Sequence, residues 1–119
     1  MNAQAQAALE RARARLDRLA YYPRPVRMKH VRVFTAPWLF RLPWFRRFDG
    51  YALHETILLR RPPGEASDDL VTHELCHVWQ MQHRPVTMPL SYLRSGYDGN
   101  PYEVEARRAV TETKPSPDG

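Results

Sequence analysis

Only one cysteine, Cys76, occurs in the 119 residues, which excludes an intrachain disulfide and any metal knuckle built from several thiolates. Glycines number only five, and no run approaches the ~18 apolar residues that a membrane-spanning helix needs. Met1-Asn2-Ala3-Gln4 lacks the basic-then-apolar order of a secretory signal, so a reducing, cytoplasmic setting without a membrane span is the expectation. Acidic residues are outnumbered, 13 against 18 basic, for a net charge of +5. That balance favours anionic partners weakly, and nucleic acid is not expected as one. Proline is the residue present in excess, eleven in all, about twice the usual ~5% share.

With 43% hydrophobic and 26% charged residues the composition is that of a folded chain. The length suits one domain, expected over residues 1–113, with a disordered Pro-rich tail at 114–119. Residues 3–20 lack Pro and Gly, and Ala5, Leu9, Ala12, Leu16 and Leu19 recur at helical spacing. Arg11, Arg13, Arg15 and Arg18 then form a solvated face of that helix. Residues 26–34 read as an imperfect strand and residues 51–59, after the turn Asp49-Gly50, as a second one. Between them, residues 37–48 concentrate Trp38, Trp44, Phe40, Phe45 and Phe48 between prolines. This reads as an irregular connection whose aromatics roof a small core. A helix is expected from Ser67, a good N-cap followed by Asp68 and Asp69, to His83. A loop with Gly96 and Gly99 follows, and Asn100-Pro101 opens a last helix to about Thr111. The fold class is α+β: an N-terminal helix, a small antiparallel sheet, then two helices.

His73-Glu74-Leu75-Cys76-His77 is an H-E-x-x-H sequence inside the expected helix. At 3.6 residues per turn both imidazoles lie on one face and can converge on one ion. Glu74, about 100° round, can reach a water on that ion without being a ligand, which is the position of a general base. Val71, Leu75, Val78 and Trp79 supply the packing face, and Cys76 reads as a packed thiol.

A catalytic zinc site commonly takes three protein ligands, so a third lies downstream. Glu103 ranks first, at the start of the last helix with the small Ala106 nearby. Asn100 and Glu103 also resemble a capping box, in which the carboxylate binds only its own helix. Glu105 ranks second and otherwise faces solvent or pairs with Arg108. His83 completes the ligand spacing of the metzincin proteases, but Gln80 occupies the position of their glycine. A continuous helix would carry His83 about 9 Å past His77. For stabilising an oxyanion, Tyr97, Tyr92, Arg94 and His83 are all near in sequence, and Tyr97 is the choice. His30 and His54 read as strand residues without a metal role; the alternative for His54 is contact with substrate, if its strand rims the cleft.

His73-Glu74-Leu75-Cys76-His77-Val78-Trp79-Gln80 with Asn100-Pro101-Tyr102-Glu103-Val104-Glu105-Ala106 resembles the gluzincin zinc metallopeptidases. The likeness is greatest to the minigluzincins and to the small peptidase-like domains of contractile injection systems, and it spans residues 51–110. It implies a zincin-like domain with Zn2+ on His73, His77 and Glu103, Glu74 as base, and a peptide or protein substrate aligned on the strand at 51–59. It also implies an aspartate where Arg107 stands, leaving the orientation of His73 unassigned. So short a chain leaves the cleft to be walled by a partner protein or by residues 37–48. The alternative is a catalytically weak or inactive zinc-binding domain serving a larger secretion or toxin complex as a structural module.

Overall fold

The computed structural model describes residues 2–115. Four helices and three short strands follow in the order α1 (Ala3–Leu16), β1 (Arg32–Thr35), β2 (Gly50–Leu53), β3 (Thr56–Leu59), α2 (Asp68–His83), α3 (Thr87–Ser95) and α4 (Pro101–Thr113). A short 3₁₀ turn, Leu39–Arg41, lies between β1 and β2. The α+β class stands, but the sheet is mixed rather than antiparallel. Its order is β1-β3-β2, with β1 parallel to β3 and β2 antiparallel to it.

The single strand expected over 51–59 is a hairpin, β2 and β3 joined at His54-Glu55. His54 adopts φ 54°, the left-handed conformation that the tight hairpin turn demands and that glycine or asparagine usually supplies. Without either residue there, the turn left no mark in the sequence. β1 is also shorter than the 26–34 segment, because Val26 and Val31 enter the core from irregular chain.

Helix α2 lies at the centre. Its residues Val71, Leu75, Cys76, Val78 and Trp79 are buried with Ala8, Leu9, Ala12 and Leu16 of α1, Ile57 and Leu59 of β3, and Ala106 and Ala109 of α4. Small residues on α1 and α4 let both helices approach α2 closely. Trp79 is fixed further by donating its indole N–H to the Arg24 carbonyl at 2.7 Å. Cys76 is fully buried, as a packed thiol should be, and burial pushes its ionisation well up. No described helix is long and apolar enough to cross a membrane.

α1 stops at Leu16, four residues short of the expected end, because Arg18 and Leu19 tighten into i→i+3 turns. Its arginines are not simply solvated. Arg11 pairs with Asp68 at 3.1 Å, and Arg15 is buried among three helices. The Arg15 guanidinium donates to Asp69 Oδ1 at 2.9 Å, Thr113 Oγ1 at 3.0 Å and the Val110 carbonyl at 3.0 Å. Lys114, placed in the expected tail, reaches Asp69 Oδ2 at 3.3 Å. Residues 116–119 of that tail lie outside the described residues.

Arg15→Ala leaves Thr113 and the Val110 carbonyl without their donor and is expected to destabilise the fold by about 2–4 kcal/mol in urea unfolding. A loss below ~0.5 kcal/mol would show that α1 is held by apolar packing alone. Burial raises the Asp69 carboxyl, but the hydrogen bonds and charges of Arg15 and Lys114 outweigh it and hold it below its ordinary value. The associated stability is therefore full above pH ~4 and lost as pH falls through the lowered native value. The acid limb of the stability curve should flatten in Arg15→Ala.

Candidate metal centre

Ser67 Oγ accepts from Leu70 N at 3.0 Å and starts α2, which runs 16 residues without proline or glycine. His73 and His77 follow one turn apart, and their Nε2 atoms face each other at 3.2 Å. α4 brings the third donor. Asn100 Oδ1 accepts from Tyr102 N at 2.8 Å and Glu103 N at 3.3 Å, with Pro101 at the first helical position. The reciprocal half of a capping box is not made, because Asn100 N donates to the Tyr97 carbonyl instead. The Glu103 carboxylate is thus free for α2: Oε1 lies 2.7 Å from His73 Nε2 and Oε2 lies 2.9 Å from His77 Nε2.

These three residues offer donor atoms within 4.8 Å of one another and can hold a metal ion. Two imidazoles and a carboxylate suit a divalent transition metal. Tetrahedral ligands at ~2.0–2.1 Å stand roughly 3.3 Å apart, close to the histidine spacing already present. Glu103 is 1% exposed. Burial alone would raise its carboxyl, yet the hydrogen bonds and charges of His73 and His77 outweigh that and hold it far below the ordinary range. The donor therefore stays ionised. Burial works against protonated His77, but the bond to Glu103, the charges of Glu74 and Glu103, and Gln80 together raise its basicity.

His83 takes no part. α2 runs unbroken to it, and its Nδ1 donates to the Trp79 carbonyl at 3.1 Å while the ring stacks on Tyr22. Glu105 is not among the converging donors; it is half-buried rather than facing solvent, and it does not pair with Arg108. Its Oε1 accepts from the Tyr22 hydroxyl at 2.6 Å and from Gln80 Nε2 at 3.1 Å. Gln80, fully buried, extends this network to His77 Nδ1 at 2.7 Å. Its role was missed in the sequence, although its place three residues after His77 puts both on neighbouring positions of one helix.

Glu74 is 4% exposed beside the three donors, and its carboxyl is raised by burial and by Glu103 against the opposing pull of His77 and His73. Gly50, the first residue of β2, makes room for it: a Cβ there would stand 3.1 Å from Glu74 Oε2 and 3.2 Å from Leu70 Cδ1.

The segment expected as a loop after α2 contains α3, because Pro89 falls in the first turn, where its missing N–H costs no helical bond. Gly96 ends α3 at φ 68° and turns the chain back to the centre. Tyr97 then donates to Glu103 Oε1 at 3.0 Å, and Tyr92 of α3 donates to Oε2 at 3.3 Å. Burial and the Glu103 charge push both phenols up, so each remains a neutral donor at pH 7. Of the four oxyanion candidates, these two are at the centre, whereas Arg94 is exposed on α3. Arg107 approaches Glu103 Oε1 only at 3.7 Å and is half-exposed.

Two cavities flank the donors. One, of about 370 Å³, is lined by Phe45, Phe48, Tyr51, Met81 and Met88, with Glu74, His77 and Glu103 in its wall and His54 at its edge. The other, of about 440 Å³, is more polar, with Arg47, Asp49, Asp69 and Arg107 round His73. Residues 37–48 thus divide their aromatics: Phe40 enters the core, Phe45 and Phe48 wall the apolar cavity, and Trp38 and Trp44 are exposed. His30 is exposed outside both cavities. No protein-family model, curated protein or solved structure matches this chain.

Proposed function

We propose that the protein is a zinc-dependent metalloendopeptidase of gluzincin type. The observation that carries this reading is the convergence of His73, His77 and Glu103 with a fourth, non-coordinating carboxylate, Glu74, buried at their side. His73, His77 and Glu103 would hold the ion. A bound zinc supplies Lewis acidity and lowers the pKa of a water toward ~7. Glu74 accepts the proton of the attacking water and later delivers it to the leaving amine, a task suited to a carboxyl raised by burial. Tyr97, with Tyr92 as its neighbour, would turn its single neutral O–H from Glu103 Oε1 to charge developing on the carbonyl oxygen.

The substrate proposed is an extended peptide. β2 is an edge strand whose residues Gly50, Tyr51, Ala52 and Leu53 line the apolar cavity, and an open edge pairs with extended chains. The cavity beside it suits an apolar side chain. Trp44 and Leu53 stay exposed at the lip, which supports a partner protein completing the cleft.

The test is cleavage of a quenched peptide library by the zinc-loaded protein. Activity should disappear with a chelator and return with zinc; absence of cleavage at equimolar bound zinc would overturn the proposal. Gly50→Ala gives a finer check, since its Cβ would displace Glu74 by a few tenths of an ångström. It should bind zinc normally and lose roughly tenfold in kcat/KM, as misplaced catalytic groups do. Unchanged kcat/KM would remove Glu74 from its assigned position.

A further inference from the structure

Gln80 has no partner in solvent and no part in the proton transfers above, yet every polar atom of its amide is engaged. It is fully buried on α2. Nε2 lies 2.8 Å from the Tyr102 carbonyl and 3.1 Å from Glu105 Oε1, while Oε1 lies 2.7 Å from His77 Nδ1. A backbone carbonyl only accepts hydrogen bonds, so the Tyr102 carbonyl fixes which end of the amide carries the hydrogens. The NH₂ end must face α4 and the oxygen must face His77. An amide oxygen also only accepts, so His77 Nδ1 carries a hydrogen.

From this chain of donors and acceptors we infer that Gln80 is a positioning residue that sets His77 as a metal ligand, holding its Nδ1–H so that Nε2 faces His73 and Glu103. The inference rests on the metal-site reading above. Its geometry reaches further than one ring, because Tyr102 immediately precedes the ligand Glu103. One buried side chain on α2 therefore sets the orientation of a ligand on its own helix and ties that helix to α4 beside the ligand there. Glu105 holds the second amide hydrogen and is itself held by Tyr22 at 2.6 Å. The role left to Glu105 is to anchor Gln80, and through it His77.

Metal-ligating histidines depend on such partners, whose removal costs about 10–100-fold in affinity. Three measurements test the assignment, on wild type, Gln80→Met and Glu105→Ala. Zinc affinity by chelator competition should fall about 10–100-fold in Gln80→Met. It should fall by a smaller factor in Glu105→Ala, where the Tyr102 carbonyl still orients the amide. Nitrogen-15 NMR of the histidine rings should find a hydrogen on His77 Nδ1, protected from solvent exchange, in both metal-free and zinc-loaded wild type. In Gln80→Met that hydrogen loses its acceptor and should exchange rapidly while the backbone amides of α2 stay as protected as in wild type.

A bare Nδ1 in the wild-type protein would overturn the inference, and this reading needs no variant to fold and no metal to bind. Folded Gln80→Met with wild-type zinc affinity would overturn it as well. If wild type itself binds no zinc, the metal-site reading fails, and the protonation of Nδ1 still decides whether Gln80 orients the ring.

Discussion

Zinc affinity is expected to fall roughly a thousandfold in Glu103→Ala, since an apparent binding free energy of about 10–16 kcal/mol is shared among a few ligands. Glu103 is also the only carboxylate of the three donors, so its loss removes the charge that balances the ion. Glu103→Gln separates these contributions: shape is kept and charge is lost, and affinity should fall nearly as far. The structure supplies its own control. His83→Ala removes a histidine ten residues beyond His73 that bonds the Trp79 carbonyl and contributes no donor to the centre. Its zinc affinity should stay within about twofold of wild type, because the residue is no ligand and touches the support of His77 only remotely, by the stacking of its ring on Tyr22. Titration by chelator competition checks all three variants. Loss of zinc in His83→Ala with retention in Glu103→Ala would replace the Glu103 assignment by a three-histidine one.

The second large effect is on turnover alone. Glu74→Gln preserves volume and burial but removes the proton acceptor, and peptide hydrolysis is expected to drop about 10²–10⁴-fold. Zinc content should stay equimolar, because Glu74 is not among the three converging donors. KM should change little, since a buried residue acting only on protons in the transition state does not contribute uniform substrate binding. A parallel fall in zinc content would instead make Glu74 part of the ligand set.

Much of this centre was legible in the sequence because its signals are local. H-E-x-x-H within a Pro-free and Gly-free stretch, Ser67 before it and Asn100-Pro101 before Glu103 each specify a helix and a register within a few residues. What was not legible depends on distant chain. The parallel pairing of β1 with β3 joins Arg32 to Thr56 across the whole aromatic segment, and no local pattern encodes it. The hairpin at His54-Glu55 was hidden because histidine, not glycine, takes the left-handed position. α3 was hidden by Pro89, which reads as a breaker unless it is known to sit in a first turn. Arg15 looked like one arginine of a solvated face until α2 and α4 closed over it.

Gln80 and Glu105 show the same limit at the site itself. In the sequence each stands out for something else: Gln80 for replacing a metzincin glycine, Glu105 as a lesser ligand candidate. Their connection exists only once α4 lies against α2, so it belongs to tertiary structure. It also bears on the departure at Arg107. The resemblance expects an aspartate there to orient a histidine, and this chain supports its other histidine, His77, from within α2.

The function proposed for the centre is to hold zinc in order to hydrolyse peptides. Its most direct test is the cleavage rate of a quenched peptide by wild type and Glu74→Gln at equal, measured zinc occupancy. Wild type should cleave, with activity lost on chelation, while Glu74→Gln at the same occupancy should be slower by about 10²–10⁴-fold. Equal rates, or no cleavage by either protein with zinc bound, would contradict the claim and leave a metal-holding structural module.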